Sequence, residues 1–253
     1  MHHNVLHLLE QAKKNQQKKF ALLIDPDKQD DSALQQTIDI AVKAKVDILF
    51  VGGSLLTKDK LDDCLSLIKS NCNIPTILFP GSVMQINDKA DALFFLSLIS
   101  GRNSEMLIGQ HVIAAPYLKQ SSLQILPTGY ILIDGGTHTT VSYISNTTPI
   151  PANKPDIAVC TAIAGEMLGL KLIYMDAGSG AKNAISEKMI SAVSGEIKIP
   201  LIVGGGILTP EKAVANCRAG ADVIVVGNAA EKNPQLILEM ANAIHQYSSL
   251  ISA

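Results

Sequence analysis

A carboxylate and two glycines stand close together in the segment Tyr174-Met175-Asp176-Ala177-Gly178-Ser179-Gly180, which follows a short apolar run at 171–173. This pattern predicts a strand that ends in a carboxylate, a turn of small residues and a helix from about Ala181. Glycine adopts backbone angles that are closed to other residues, so backbone N–H groups in such a turn can approach a ligand. A helix that begins there would add free N–H donors and the positive end of its dipole. The segment therefore predicts a phosphate site beside an acidic side chain.

Two later segments repeat the pattern of a strand followed by a glycine turn. The run 200–203 leads into Gly204-Gly205-Gly206, and the run 222–226 leads into Gly227-Asn228. Each turn alone is equally consistent with an ordinary loop between a strand and a helix. The first turn also departs from the dinucleotide-binding fingerprint, because Asn183 stands at the third glycine position. Three turns in series are more specific, since the loops after the last strands of a TIM barrel commonly bind phosphate.

Apolar runs alternate with helical patterns along the chain, and the runs are continuous, as is typical of parallel strands covered on both faces. Strands are predicted at 20–25, 48–51, 76–79, 92–98, 124–126 with 129–134, 171–176, 200–203 and 222–226, with a further extended stretch at 139–145. Helices are predicted at 4–18, 32–44 with Ser32 as the cap, 58–70, 105–118 and 155–168, with a short one from 83. Eight strands predict a (β/α)8 TIM barrel as a single domain over residues 1–253. A doubly wound open sheet is the rival fold, and the three glycine-ended strands favour the barrel.

The composition is that of a folded protein with a full hydrophobic core. The chain has 253 residues, a typical length for one TIM barrel, and 47% of them are hydrophobic. A net charge of -2 argues against general nucleic-acid binding. No apolar run is long enough to span a membrane, and the N-terminus does not resemble a signal peptide, so we expect a cytoplasmic protein. The four cysteines form no CxxC unit and are expected to be free thiols.

Asp25 and Ser54 each follow a predicted strand and are expected at the same end of the barrel. A carboxylate there commonly binds a metal ion or acts as a base, and a cap for the following helix is the alternative for both residues. Together, on adjacent strands, they offer oxygen ligands that suit Mg2+, which completes its shell with water and substrate phosphate. Asp27 and Lys28 are interpreted as solvated loop charges.

Motifs over almost the whole chain resemble those of the geranylgeranylglyceryl phosphate synthase family, which includes the bacterial heptaprenylglyceryl phosphate synthases. They are LLIDPDK (22–28), VGGS (51–54), ILFPGS (77–82), SLISGRN (97–103), IGQHVIAAP (108–116), PTGYILIDGG (127–136), YMDAGSGA (174–181), VGGGI (203–207) and VGN (226–228). Several motifs are weak alone, but the combination is highly specific. The resemblance implies a TIM barrel, in agreement with the strand count.

The resemblance also implies a prenyltransferase. Such an enzyme joins a polyprenyl diphosphate, foremost geranylgeranyl diphosphate, to the C3 hydroxyl of sn-glycerol 1-phosphate with Mg2+ and releases diphosphate. By motif match, Asp25 and Ser54 fall on the magnesium positions. The glycerol phosphate positions are Tyr174, Asp176, Gly178, Ser179, Gly180, Gly204, Gly205, Gly227 and Asn228. A homo-oligomer, with transient membrane contact for the prenyl tail, is expected as well.

Asp176 is the expected catalytic residue, because its carboxylate would orient or deprotonate the glycerol hydroxyl while Mg2+ neutralises charge on the departing diphosphate. The family usually carries Glu at this position, and Asp is one methylene shorter. Arg102 is consistent with a diphosphate contact and equally with a surface charge, and His111 is expected to be structural.

Two other functions stay open on the same fold. A phosphosugar isomerase or aldolase often uses a lysine or paired acids at strand ends, and no lysine stands at the carboxyl end of a predicted strand. A non-catalytic phosphate-binding protein would not need Asp25 and Ser54 opposite the carboxylate of Asp176.

Overall fold

Eight parallel strands form a closed barrel in which each strand pairs with its neighbours in sequence and the first pairs with the last. The computed structural model describes residues 4–251. The strands are β1 Lys19–Ile24, β2 Ile48–Val51, β3 Thr76–Leu78, β4 Ala92–Ser97, β5 Gln124–Leu132, β6 Leu172–Asp176, β7 Leu201–Gly204 and β8 Val223–Val226. The prediction of a TIM barrel is confirmed, and the open sheet is excluded because β1 and β8 close the ring.

Helices surround the barrel. They are α1 Val5–Lys14, α2 Asp31–Lys43, α3 Leu61–Asn71, α4 Gln110–Gln120, α5 Thr140–Ile144, α6 Pro155–Met167, α7 Glu187–Glu196, α8 Pro210–Arg218, α9 Asn228–Lys232 and α10 Gln235–Ile251. A 3-10 turn at Val83–Gln85 follows β3, and a π-helical turn at Glu105–Gly109 leads into α4.

Strands with continuous apolar sequence are buried on both faces. In β2, Leu49 and Val51 pack in the layer between barrel and helices, whereas Ile48 and Phe50 point into the barrel interior. All residues of β8 are likewise buried. Burial on both faces is the reason that the sequence of these strands does not alternate between apolar and polar residues.

The amino-terminal end of the barrel is covered by α1. Val5 and Leu9 are fully buried and belong to the interior cluster of the barrel. The backbone N–H groups of Val5 and Leu6 donate to Oε1 of Gln124, the first residue of β5, at 2.7 and 3.2 Å. The helix ends at Lys14, earlier than predicted, because Gln16 adopts a left-handed φ of 56°. A site inside the barrel must therefore open at the carboxyl ends of the strands.

One prediction for the middle of the chain is wrong. The stretch 139–145 is not extended, since it forms α5, which begins with a reciprocal capping box between Thr139 and Ser142. The extended segments predicted at 124–126 and 129–134 are confirmed as strand up to Leu132, and they join through Pro127 into one strand, β5.

The helix predicted from Ala181 does not begin there. The backbone N–H groups of Lys182 and Asn183 both donate to the carbonyl of Gly135 at 3.0 Å, so this segment is held against the loop after β5. Helix α7 begins only at Glu187, where the Ser186 side chain caps it.

Ser32 is not the cap of α2, because the Asp30 carboxylate accepts the N–H of Ala33 at 2.9 Å instead. All four thiols are free, as predicted. Between residues 4 and 251, none of the helices combines the length and the apolar character that crossing a membrane requires.

Candidate active site

A cavity of about 760 Å³ opens at the carboxyl ends of the strands. Its size is within the range of sites that take cofactors and drug-sized molecules. One side is polar and is formed by the loops after β1, β2, β6, β7 and β8, whereas the side toward β4 and α4 is apolar. The cavity can therefore take an anionic group at one end and a hydrocarbon chain at the other.

The three glycine turns meet on the polar side. Gly178, Gly180 and Gly205 have φ values of 88°, 80° and 82°, which are favourable only for glycine. A methyl group on Gly205 would lie 2.8 Å from the backbone nitrogen of Gly178, so the β6 and β7 loops are in direct contact. The amide of Asn228 donates to the Ser179 hydroxyl at 2.8 Å and joins the β8 loop to them.

The prediction that a helix begins directly after each glycine turn holds for one turn only. Only the β8 turn continues directly into a helix, the short α9, whereas α7 and α8 begin several residues after their turns. Gly204 does not line the cavity, since the space beside it is filled by the hydroxyl of Tyr174, 2.9 Å from where a β-carbon would stand. Gly206, which the sequence did not single out as a binding residue, does line it.

Asp176 ends β6 and is only 8% exposed. Its Oδ2 accepts a hydrogen bond from the Tyr130 hydroxyl at 2.6 Å, and its Oδ1 accepts the N–H of Gly178 at 2.8 Å. Burial raises the pKa of this carboxyl above its ordinary value, although both hydrogen bonds act in the opposite direction. A buried acid with a raised pKa, held at a strand end, is suited to accept a proton from a bound hydroxyl.

Tyr174 lies one layer deeper than Asp176, on the same strand and almost fully buried. Its ring stacks on Phe79 with centroids 5.2 Å apart and meets Tyr130 edge-on at 5.4 Å. Burial, with the negative charge of Asp176, holds the pKa of the Tyr174 hydroxyl well above its ordinary value. The rings of Tyr174, Phe79 and Tyr130 therefore pack together beneath Asp176, and the Tyr174 hydroxyl stays protonated at neutral pH.

Asp25 and Ser54 both line the cavity, as the strand ends predict. Oδ1 of Asp25 accepts the N–H of Asp27 at 3.0 Å. A methyl group on Gly53 would lie 3.6 Å from Oδ2 of Asp25, so the β2 loop passes directly beside this carboxylate. Among residues 4–251, no three His, Cys, Asp or Glu side chains converge into a metal cage. The oxygen donors present fit Mg2+ bound by few protein ligands and mainly by water and phosphate.

Asp27 and Lys28 are not merely solvated charges. The Asp27 carboxylate accepts the Thr57 hydroxyl at 3.0 Å and also its backbone N–H, which ties the β1 loop to the chain after β2. The Lys28 ammonium lies 3.3 Å from Oδ2 of Asp25 and therefore inside the polar half of the site.

His111 and Arg102 lie at different places. His111 is buried in α4 and lines the cavity, with Nε2 3.1 Å from the Ser97 hydroxyl and its ring edge-on to Phe95. Burial lowers the pKa of His111, so the imidazole is neutral at neutral pH. Arg102 lies outside this cavity, where its guanidinium donates to the carbonyl of Gly101 at 2.7 Å.

Sequence reasoning missed Tyr130 as a site residue. It stands among apolar residues of β5, directly opposite Tyr174 of β6 in the strand register. A tyrosine within a buried strand needs a partner for its hydroxyl, and that requirement is the signal that could have identified it.

A closed parallel barrel whose last three glycine loops meet beside a buried acid defines the class of TIM-barrel proteins with the chemistry at the carboxyl ends of the strands. Comparison with known proteins gives the particular group. The chain belongs to the PcrB family, whose model matches residues 13–246. The family resemblance seen in the sequence is thereby confirmed.

The relatives are named consistently. The chain is 56% identical over 245 residues to geranylgeranylglyceryl phosphate synthase of Chitinophaga pinensis, with 97% of each chain covered. It is 37% identical to the synthase of Methanothermobacter marburgensis, covering 90% of this chain and 92% of that one. A crystal structure of (S)-3-O-geranylgeranylglyceryl phosphate synthase from Thermoplasma acidophilum, in complex with sn-glycerol 1-phosphate, matches with a TM-score of 0.91 at 33% identity, covering 96% of this chain and 99% of that one.

Proposed function

We propose that this protein transfers the prenyl group of a polyprenyl diphosphate, foremost geranylgeranyl diphosphate, to the C3 hydroxyl of sn-glycerol 1-phosphate. The products are a prenylglyceryl phosphate ether and diphosphate. The observation that carries the proposal is one cavity in which the buried acid Asp176 stands between the glycine loops and an apolar wall. The Thermoplasma acidophilum relative, solved with sn-glycerol 1-phosphate, supports the same assignment.

The glycerol phosphate is held on the polar side. Its phosphate is bound by backbone N–H groups of the Gly178–Gly180, Gly205-Gly206 and Gly227-Asn228 turns, which the Asn228–Ser179 hydrogen bond keeps together. Fixing the phosphate places the C3 hydroxyl near Asp176, and positioning of this kind supplies a large part of the rate acceleration in bimolecular reactions.

Asp176 accepts the hydroxyl proton as the new bond forms. The glycerol oxygen attacks the allylic carbon, and the bond from that carbon to the diphosphate oxygen breaks, so the electron pair leaves with the diphosphate. Tyr130 and the N–H of Gly178 hold the two carboxylate oxygens while the proton moves. Their hydrogen bonds favour the charged form that a base needs.

We assign Mg2+ to Asp25 and Ser54. The bound ion would neutralise charge on the departing diphosphate. The two residues line the cavity on the β1 and β2 loops, and Gly53 of the β2 loop passes directly beside Asp25. We therefore assign the diphosphate to that side and its prenyl tail to the apolar wall near Leu96, Met106 and Leu118.

The protein is proposed to act in the cytoplasm as a homo-oligomer. Apolar side chains that are exposed on α4, Val112, Ile113 and Tyr117, support an interface between copies. The prenyl tail and the ether product are proposed to bring the protein into transient contact with the membrane surface.

The alternative functions fit less well. Within the described strands the one lysine is Lys19, at the amino end of β1 and thus opposite to the cavity, so no strand offers a lysine nucleophile to the cavity. Lys28 lines the cavity from the β1 loop, but its ammonium is paired with Asp25 and Glu231. A protein that only binds phosphate would not need a buried carboxylate with two hydrogen-bond donors fixed on it.

The proposal is tested by incubating the purified protein with Mg2+, radiolabelled sn-glycerol 1-phosphate and, in separate reactions, farnesyl, geranylgeranyl or heptaprenyl diphosphate. Label that passes into organic solvent only when a prenyl diphosphate is present supports transfer. Retention of all label in the aqueous phase with every prenyl diphosphate contradicts it. The same series shows which tail length the apolar wall prefers.

A further inference from the structure

The ammonium of Lys28 contacts three side chains from two different segments of the chain. It lies 3.3 Å from Oδ2 of Asp25, 3.5 Å from Oε2 of Glu231 and 2.8 Å from Oδ1 of Asn228. Asp25 belongs to the β1 loop, whereas Asn228 and Glu231 belong to α9 at the end of β8. Because β1 and β8 pair to close the barrel, two segments 200 residues apart are brought onto one side chain.

These contacts place Lys28 between the two halves of the polar site. On one side is Asp25, to which the magnesium and the diphosphate are assigned. On the other side is Asn228, whose amide nitrogen donates to the Ser179 hydroxyl of the β6 turn at 2.8 Å. The Lys28 side chain is 40% exposed and lines the cavity, so ligands on either side can reach it.

We propose that Lys28 is a positioning residue that couples binding of the diphosphate group to binding of the glycerol phosphate. The inference extends the proposed function and depends on it. In the free protein the single charge of the ammonium is shared between the carboxylates of Asp25 and Glu231. A divalent cation held by Asp25 would compete with the ammonium for this carboxylate, and the lysine charge would then be available to a phosphate beside Asn228.

The physical reason is that one ammonium has a single charge and a flexible stem of four carbons. It cannot neutralise the Asp25 carboxylate fully while it also neutralises a phosphate on the other side. A cation with diphosphate would leave Lys28 available to the glycerol phosphate, and glycerol phosphate would leave Asp25 available to the cation. By linkage, each ligand therefore tightens binding of the other by the same factor. If Lys28 only stabilised the β1 loop and α9, the affinity of the protein for one ligand would not depend on whether the other ligand is bound.

The test is calorimetric titration of sn-glycerol 1-phosphate into protein in Mg2+, with and without inorganic diphosphate. No ether can form from this pair, so binding is measured without turnover. In the unaltered protein we expect diphosphate to tighten glycerol phosphate binding by a factor within the roughly 5–150-fold range of typical coupling. Lys28→Met should bring this factor close to unity, and Lys28→Arg should keep part of it because the charge remains.

Lys58→Met is the matched control. Lys58 is also a lysine of this region, since its ammonium donates to the carbonyl of Asp27 at 3.0 Å, but it does not line the cavity. It measures the general effect of removing one positive charge, and its coupling factor should stay at the value of the unaltered protein. In the absence of glycerol phosphate, Lys28→Met should bind Mg2+ with diphosphate more tightly relative to this control, because the competing ammonium is gone.

An unchanged coupling factor in Lys28→Met overturns the inference, and so does an equal loss in Lys58→Met. These outcomes are distinct from failure of the proposed function. If the unaltered protein does not bind sn-glycerol 1-phosphate at all, the proposed substrate is wrong. If it binds the substrate and forms the ether while Lys28→Met keeps the coupling, only the role of Lys28 is wrong. Retention of the parental circular dichroism spectrum checks that each variant is folded.

Discussion

The hydroxyl of Tyr130 lies 2.6 Å from Oδ2 of Asp176, and both side chains are buried at the base of the cavity. The two residues come from neighbouring strands, since Tyr130 of β5 pairs in register with Tyr174, two positions before Asp176 in β6. Because the N–H of Gly178 donates to the other oxygen, the carboxylate group is held by one hydrogen bond on each oxygen. A short acid is thus fixed where the proposed proton transfer needs it.

Removing this hydrogen bond should change the pH at which the enzyme becomes active. The Tyr130 hydroxyl favours the charged form of Asp176, so Tyr130→Phe should raise the pKa of the carboxyl further above its ordinary value. Because a base must be deprotonated, the acidic limb of the kcat/KM profile should move to higher pH. Tyr143→Phe, an exposed tyrosine of α5, is the control and should leave the profile unchanged. An unshifted acidic limb in Tyr130→Phe would show that Asp176 is not the group that titrates.

Asp176 itself should be required for catalysis. Asp176→Ala should lower kcat by roughly 10²–10⁴-fold, the usual effect of losing a general base. Affinity for the prenyl diphosphate, measured by equilibrium binding, should change much less because we assign that substrate to the Asp25 side. Asp176→Glu should keep activity, since the geranylgeranylglyceryl phosphate synthase family usually carries glutamate at this position. An active Ala variant beside an inactive Glu variant would mean that the carboxylate is structural.

Gly180 offers a clean test of the phosphate site. Its φ is 80°, and a β-carbon there would meet no protein atom within 4 Å, so Gly180→Ala adds a methyl group to a residue that lines the cavity without a clash with the protein. We expect the KM for glycerol phosphate to rise several-fold while kcat falls less. Gly169 has a φ of 90° and equally open surroundings, but it lies before β6, away from the cavity. Gly169→Ala should therefore share the backbone strain of about 1–2 kcal/mol without the change in KM. Equal KM values in the two variants would place the phosphate elsewhere.

The charge of Asp25 should be necessary for the use of Mg2+. Asp25→Asn removes the carboxylate to which we assign the ion and leaves a side chain of the same size, so we expect the fold to persist and Mg2+-dependent turnover to be lost. Activity measured against Mg2+ concentration tests this, with the circular dichroism spectrum as the check on folding. Near-normal activity at limiting Mg2+ would exclude Asp25 as a ligand.

The barrel could be predicted because its signals are local. The run Ile48–Val51 was predicted with both boundaries correct, since a short apolar run between polar segments is sufficient to define a buried strand. The glycine turns after β6, β7 and β8 could be located for the same reason. Their backbone requirements are a property of glycine and do not depend on distant residues.

The sequence predictions fail where a competing local signal, or a contact with a residue distant in sequence, determines the secondary structure. Residues 139–145 are rich in β-branched and aromatic side chains, which favour a strand, but the Thr139–Ser142 capping box initiates a helix instead. The segment after Gly180 is held by the carbonyl of Gly135, far away in sequence. Lys28 is exposed as expected, but its contact with Asn228 could not be predicted because the two residues become neighbours only when the barrel closes.

Phosphorus NMR of one reaction mixture tests the central claim most directly. The unaltered protein is incubated with Mg2+, sn-glycerol 1-phosphate and geranylgeranyl diphosphate, and the resonances of both substrates and of free diphosphate are followed together. We predict that one diphosphate is released for each glycerol phosphate converted, and that neither substrate changes when the other is left out. Diphosphate release without loss of glycerol phosphate would contradict the account and indicate a hydrolase. Conversion of glycerol phosphate in the absence of the prenyl diphosphate would contradict it as well and indicate an isomerase or aldolase.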